Sequence, residues 1–141
     1  MPKTAVHSDQ VWDPSRVQHP GHTYQQPFVQ ATRATGATVL FISGQVALDR
    51  DGNLIGAGDV AAQARQALTN LRALLEAAGA SIADVAKLTV FVRDMRQFAR
   101  VQEVRAEFWR GMELPASTAL EVARLVRDEF LVEIEAYAVM D

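Results

Sequence analysis

The sequence of 141 residues contains no cysteine. Disulfides, thiolate nucleophiles and cysteine-ligated zinc are therefore excluded. The three histidines, His7, His19 and His22, all lie near the N-terminus and lack the spacing of a metal site on a helix or hairpin. We therefore expect solvated histidines, and neither a metal ion nor a cofactor.

Clusters of basic residues and long apolar runs are missing as well. The formal net charge is −3, and the arginines between Arg93 and Arg110 are interrupted by acidic residues. Because binding to a phosphate backbone depends on clustered Lys and Arg, we expect no nucleic-acid partner. No apolar run approaches the roughly 20 residues of a membrane-spanning helix, and the N-terminal residues are too polar for a signal peptide. We therefore expect a cytoplasmic protein with no membrane partner.

What the sequence does contain fits one globular domain. Hydrophobic residues make up 49% and charged residues 22%, which is ordinary for a single folded core. Residues 1–26 are rich in His, Pro, Gln and Ser and are predicted to be a polar N-terminal arm with one short ordered piece around Trp12. Residues 27–141 are predicted to form the domain.

Seven secondary-structure elements are predicted in this domain from periodicity and from turn residues. Gly36 is expected to take positive φ in the turn between the first two strands. Asp59 is the predicted N-cap of the first helix and Gly79 ends it. The order β-β-α-β-α-β-β predicts an α+β fold with one sheet and two helices. The predicted elements are strands 28–33 and 39–43, a helix from 59 to 78, strand 85–92, a helix from 95 to 110, and strands 118–122 and 131–138.

Two of the predicted strands are apolar on both faces, namely Val39–Ile42 and Leu88–Val92. Two helices cover only one face of a sheet, and each Å² of apolar surface left in water forgoes about 25 cal/mol. The other face therefore needs a cover, and the simplest one is another copy of the chain in closed symmetry. The alternative is that the N-terminal arm folds over this face, although the arm is polar.

A series of short motifs in residues 27–141 points to a known family. In order along the chain they are SGQ at 43–45, DVAAQ at 59–63, AAGAS at 77–81, LPA at 114–116, EVARL at 121–125 and VEIEA at 132–136. Together they resemble the Rid (YjgF/YER057c/UK114) family of reactive-intermediate deaminases. The resemblance implies a chorismate-mutase-like fold with two helices on one face of a mixed sheet. It also implies a homotrimer with a ligand cleft at each subunit interface.

The resemblance further implies hydrolysis of a small imine or enamine metabolite to a 2-oxo acid and ammonia, without a cofactor. In the family, an arginine directly after the Pro-Ala pair holds the substrate carboxylate, and a glutamate on the last strand positions water. Here Ser117 follows Pro115-Ala116, and Glu133 occupies the glutamate position as the candidate catalytic residue. A serine brings no charge and cannot form the two charge-assisted hydrogen bonds of a guanidinium. Ser117 is thus either a hydrogen-bonding group for an altered substrate or an ordinary strand hydroxyl.

Three further substrate-binding candidates follow from the resemblance. Gln102 occupies a position that is usually asparagine, Ser43 matches a residue near the cleft, and Phe28 falls near a position that is often tyrosine. Gln63 and Asn70, on the flank of the first helix, are interpreted as structural residues that hold neighbouring loops.

Three readings of function remain open. The first is a hydrolase whose substrate lacks the usual carboxylate contact, or has that carboxylate held by Arg33, Arg96 or Arg105. The second is a non-catalytic trimer that binds a small metabolite as a sensor or scaffold. The third, a ribonuclease, is a label sometimes attached to the family; an acidic chain without histidine in its domain speaks against it.

Overall fold

The computed structural model describes residues 3–10 and 27–141, which form six β-strands and two α-helices. Short 3-10 turns precede β4 and α2. The elements are β1 (Lys3–Val6), β2 (Ala31–Ala34), β3 (Thr38–Gln45), α1 (Val60–Ala77), β4 (Val85–Val92), α2 (Phe98–Phe108), β5 (Ala116–Glu121) and β6 (Val132–Met140).

The main sheet has four strands in the order β3-β6-β4-β5. β6 runs antiparallel to both β3 and β4, whereas β4 and β5 are parallel, so the sheet is mixed. The helices pack on one face of it, and the core between the helices and the sheet is mainly aliphatic. Leu68, Leu71 and Leu75 of α1 are fully buried in this core together with Val90 and Ile134 of the sheet. The predicted α+β fold is confirmed.

The first helix begins and ends as the sequence predicts. The Asp59 side chain accepts a hydrogen bond from the Ala62 amide at 3.1 Å, which satisfies an N–H that the helix itself leaves without a partner. Gly79 follows the C-terminus with φ of +81°, a conformation that favours glycine. Asn70 donates to the carbonyls of Val46 and Leu48, and is structural, as predicted.

Three local predictions differ from the structure. The stretch predicted as an arm contains β1, which pairs antiparallel with β2 to form a separate two-stranded sheet. β2 begins only at Ala31, because the preceding segment instead runs beside β5 through a bridge between Val29 and Ala116. Gly36 does not have positive φ. A Cβ there would lie 2.6 Å from the Met140 carbonyl oxygen, so close approach of two backbones requires the glycine. Trp12 lies outside the described residues.

The face of the main sheet away from the helices carries exposed aromatic and aliphatic side chains. Phe41 is 78% exposed, Val39 49% and Tyr137 41%. Phe41 and Tyr137 are register partners, and their rings meet edge to face with centroids 5.5 Å apart. We call this side the outer face. None of the helices in the described ranges is long and apolar enough to cross a membrane.

Candidate functional site

The Glu133 carboxyl lies on the outer face, at one end of β6. Residues of β6 alternate between buried and partly exposed, which places Glu133, Glu135 and Tyr137 on the same side. The Glu133 side chain lies directly over Gly44, where an added Cβ would be 2.6 Å from Oε2. Glycine at position 44 is therefore required for the carboxyl group to take this place.

Burial raises the pKa of Glu133, and repulsion from the Glu135 carboxylate raises it further. Within residues 3–10 and 27–141, no lysine or arginine forms an ion pair with Glu133. A salt bridge to an arginine on a neighbouring strand, which would give this carboxylate a purely structural role, is therefore not formed within the described part of one chain. A carboxylate with a raised pKa and no cationic partner among the described residues is a stronger proton acceptor than a solvent-exposed one.

Ser43 lies at the same end of the outer face. The register between β3 and β6 shifts between Ile42 and Gln45, which pair with Ala136 and Ile134 respectively. This irregularity leaves Ser43 and Gly44 outside the regular ladder, beside the glutamates of β6. Ser43 is exposed. The structure thus brings Ser43 and Glu133 to one region.

Ser117 and Gln102 are found on the opposite side of the sheet. Ser117 pairs in register with the buried core residue Leu88, and its Oγ is buried and has no hydrogen-bond partner among the described residues. Gln102 of α2 is buried and accepts a hydrogen bond of 2.7 Å from Arg105 Nη1. Phe28 is half-buried. The amide of the next residue, Val29, donates to the Pro115 carbonyl, so Phe28 lies beside the start of β5.

The five predicted site residues therefore form two groups within one chain. Ser43 and Glu133 are on the outer face, whereas Ser117 and Gln102 are on the helix-facing side, with Phe28 at the β5 edge. A sheet separates the two groups, so they do not build one pocket within a single chain.

Of the three arginines proposed as substitutes for a missing guanidinium, two are on the surface. Arg33 is exposed on β2, and Arg96 is exposed and bonded through Nε to Asp94 Oδ1 at 2.9 Å. Arg105 is only 1% exposed, and burial lowers its pKa to about 10. It remains protonated at neutral pH, and it stands out as a buried cation.

Trp109 is a residue that sequence reasoning did not single out. It is buried, and its Nε1 has no hydrogen-bond partner in the part of the chain that the structure describes. Trp109 and Gln102 line a cavity of about 510 Å³ at the C-terminal end of α2, together with Met112 and Leu114. An indole on the buried side of a helix is normally a core residue, so no pattern in the sequence distinguished it.

In the part of the chain that the structure describes, no three His, Cys, Asp or Glu side chains come together as a metal site. His7 is exposed, and His19 and His22 lie outside the described residues.

Comparison with known proteins gives consistent matches. The model of the family described as Endoribonuclease L-PSP matches residues 21–140. A RutC family protein of Pyrococcus horikoshii is 47% identical over 112 residues, which cover 79% of this chain and 86% of the relative. The 2-iminobutanoate/2-iminopropanoate deaminase of Salmonella typhimurium is 41% identical over 115 residues, which cover 80% of this chain and 87% of that enzyme.

Solved structures agree. A protein of unknown function from the conserved Rid family, YyfB of Yersinia pestis, superimposes with a TM-score of 0.87 at 29% identity, covering 99% of this chain and all of that chain. The YjgF gene product of E. coli has a TM-score of 0.68 at 39% identity, and the match covers 82% of this chain and 89% of that chain. The chain therefore belongs to the Endoribonuclease L-PSP family, the Rid (YjgF/YER057c/UK114) family that its motifs resemble.

Proposed function

We propose that the protein is a Rid-type hydrolase of a small imine or enamine metabolite. Water adds to the C=N carbon and the resulting carbinolamine releases ammonia, which leaves a carbonyl compound. Glu133 accepts a proton from the attacking water and returns it to the departing nitrogen. The observation that carries this proposal is the Glu133 carboxyl, which lies over Gly44, has a raised pKa and has no cationic partner among the described residues.

The relatives support this reaction class. Proteins that are 41% identical are named 2-iminobutanoate/2-iminopropanoate deaminases, and the family model covers nearly the whole domain. Because Ser117 replaces the arginine that the family pattern has after Pro-Ala, the substrate preference is altered. The reaction needs no metal or cofactor in this proposal, and it takes place in the cytoplasm.

The active form in this proposal is a homotrimer with a cleft between subunits. Two observations favour it. The outer face exposes Phe41, Val39 and Tyr137 to water, which is unfavourable for an isolated chain. In addition, Glu133 and Ser117 lie on opposite sides of the sheet, so they can face one ligand only if the outer face of one copy meets the β5 edge of the next.

The decisive experiment measures imine hydrolysis directly. An amino-acid oxidase generates a panel of imines, and semicarbazide traps whatever imine the protein leaves. The wild-type protein should lower the yield of semicarbazone, and Glu133→Gln should reduce the rate by about 100-fold or more, which is the usual contribution of a general base. Glu129→Gln is the matched control, because Glu129 is exposed and lies outside the strand.

One outcome would instead support the non-catalytic alternative, a trimer that binds a metabolite. This outcome is an inert wild-type protein combined with a Ser117→Arg variant that gains hydrolysis. It would show that the cleft can catalyse the reaction but serves another ligand in this chain. Activity that is unchanged in Glu133→Gln would contradict the role proposed for that residue.

A further inference from the structure

Three buried polar groups on the helix-facing side of the sheet have no hydrogen-bond partner within residues 3–10 and 27–141. They are Arg105 Nε, Trp109 Nε1 and Ser117 Oγ. Most buried polar atoms in proteins are bonded, so three unbonded ones in a domain of this size call for an explanation. All three are hydrogen-bond donors, and none of them has an acceptor among the described residues.

The three groups are linked through the start of β5. Arg105 Nη2 donates to the Pro27 carbonyl at 3.4 Å, and two residues later the Val29 amide bonds to the Pro115 carbonyl. Ser117, on β5, lies two residues beyond Pro115. Trp109 is the C-cap of α2 and follows Arg105 by one helical turn, and therefore lies on the same side of the helix.

Arg105 also lacks a negative partner among the described residues. The two groups to which its guanidinium donates hydrogen bonds, Gln102 Oε1 and the Pro27 carbonyl, are both neutral. Burial alone accounts for its lowered pKa, with no contribution from a carboxylate. The nearby Lys87 is repelled by Arg105, which together with burial lowers the pKa of that lysine. A buried guanidinium is normally paired with an anion, so the local field is positive and uncompensated.

The cavity at the end of α2 lies next to this cluster. Gln102 and Trp109 line it, so the indole and the amide that is bound to Arg105 border the same space, whereas Arg105 itself is buried behind Gln102. Met112 and Leu114 add apolar surface. Glu107 also borders the cavity, but its carboxylate is paired with Arg65 at 2.9 Å; Glu103 and Arg110 on the rim are exposed. The cavity volume of about 510 Å³ suits a small metabolite.

We propose that Arg105 binds the carboxylate of a small ligand, a 2-oxo acid or the corresponding imine, with Trp109 and Ser117 as additional donors. The guanidinium presents a fork of donors that matches two carboxylate oxygens. In this chain the positive charge therefore comes from helix α2 and not from the position after Pro-Ala. The inference rests on the proposed function for the identity of the ligand, but binding itself requires no turnover.

Calorimetric titration with 2-oxobutanoate, and with butanone as the analogue that lacks the carboxylate, tests this role. The wild-type protein should bind 2-oxobutanoate and show no heat with butanone at the same concentrations. Arg105→Met should weaken binding of 2-oxobutanoate at least 10-fold. Arg100→Met is the matched control, because Arg100 is an exposed arginine on the same helix and should leave the affinity unchanged.

A thermal scan without ligand shows whether Arg105→Met is folded. This variant loses the bonds to Gln102 Oε1 and the Pro27 carbonyl, which lowers its stability, and it also loses a buried charge that has no anionic partner among the described residues, which offsets part of that loss. If Arg105→Met does not fold, Trp109→Phe provides the second test. The indole N–H resonance that is missing from the spectrum of Trp109→Phe belongs to Trp109, and in the wild type this resonance should shift when 2-oxobutanoate is added. Trp109→Phe should bind 2-oxobutanoate more weakly than the wild type.

The outcomes distinguish this inference from the proposed hydrolysis. A wild-type protein that binds no 2-oxobutanoate, binds butanone equally well, or keeps its affinity in a folded Arg105→Met variant would overturn the role of Arg105. If that protein still hydrolyses an imine without a carboxylate, the proposed function stands alone. Binding that depends on Arg105 but is accompanied by no hydrolysis of any imine would uphold the inference and reject the hydrolase.

Discussion

The Gln63 side chain connects α1 to the segment that leads into the strand carrying Glu133. It is fully buried, and its Nε2 donates to the carbonyls of Gly56 at 3.1 Å and Glu129 at 3.0 Å. Its Oε1 accepts from the Leu131 amide at 2.9 Å. Replacement with leucine keeps a similar volume but removes all three hydrogen bonds. We therefore expect Gln63→Leu to destabilise the fold and to loosen the start of β6.

The expected magnitude follows from the number of bonds. Each intramolecular hydrogen bond contributes about 1 kcal/mol net, and the three bonds are only partly shielded from water, so the loss should be about 3 kcal/mol. A domain of 141 residues has an unfolding entropy of roughly 0.3 kcal/mol per kelvin, so the melting temperature should fall by about 10 °C.

Calorimetry and urea titration measure both quantities. Gln66→Leu is the control, because Gln66 lies one turn along the same helix and makes a single side-chain bond, from Nε2 to Asn70 Oδ1 at 2.8 Å. It should cost less than about 1 kcal/mol. If Gln63→Leu loses no more stability than Gln66→Leu, the reasoning is refuted. That result would mean that the three bonds of Gln63 stabilise the folded state no more than the hydrogen bonds to water that they replace.

Three further predictions concern association and pH. Phe41→Glu should convert the proposed trimer to monomers, as measured by light scattering, whereas Val126→Glu, which changes a similarly exposed apolar residue, should leave it intact. A wild-type protein that is monomeric at micromolar concentration would exclude the trimer. Glu135→Gln should move the acid limb of the hydrolysis profile to lower pH, because it removes the repulsion that helps to raise the pKa of Glu133; an unmoved limb would exclude Glu133 as the titrating base. The pKa of Lys3 is lowered to about 8, mainly by burial, so the folded state holds this proton less tightly than the unfolded chain. Stability should therefore rise with pH between about 8 and 10.5, and Lys3→Met should abolish that rise in thermal scans.

The main sheet and both helices could be predicted because their signals are local. The apolar spacing of α1, its Asp59 cap and the terminating Gly79 agree with one another, and the structure places the helix at Val60–Ala77. Strand β4 has the predicted bounds, Val85–Val92, because a segment rich in Val, Thr and Phe is bounded by Asp84 and Asp94.

The errors arose where a distant partner decides the local structure. β1 is a strand only because β2 lies beside it, and the buried Lys3 at its start donates to the Val85 carbonyl at 2.6 Å, a contact over 82 residues. Positive φ was predicted for Gly36 from turn statistics, but a glycine is needed there because the backbone of Met140, at the other end of the chain, leaves no room for a side chain. Neither contact leaves a trace in the nearby sequence.

Within the candidate site, the residue types could be predicted but their grouping could not. Glu133 and Glu135 share one face of β6, which follows from the sequence alone because side chains alternate in any strand. Ser117 depended on the register of two parallel strands, which the sequence does not specify, and the register turns its hydroxyl toward the helices. Arg105 was one of three candidate arginines, and only the packing of α2 shows that it is the buried one.

The outer face divides along β6 into two halves of different character. Tyr137 pairs with Phe41 at one end, whereas Glu133 pairs with Phe91 at the other, beside the irregularity at Ser43 and Gly44. Buried apolar area stabilises association, but a carboxylate without a cation opposes complete burial. The aromatic half is therefore the part suited to contact another copy, and the acidic half should border the space that such contact leaves open to water and ligand. A cleft beside the interface is thus what the charge distribution of this face favours, independently of any likeness to other proteins.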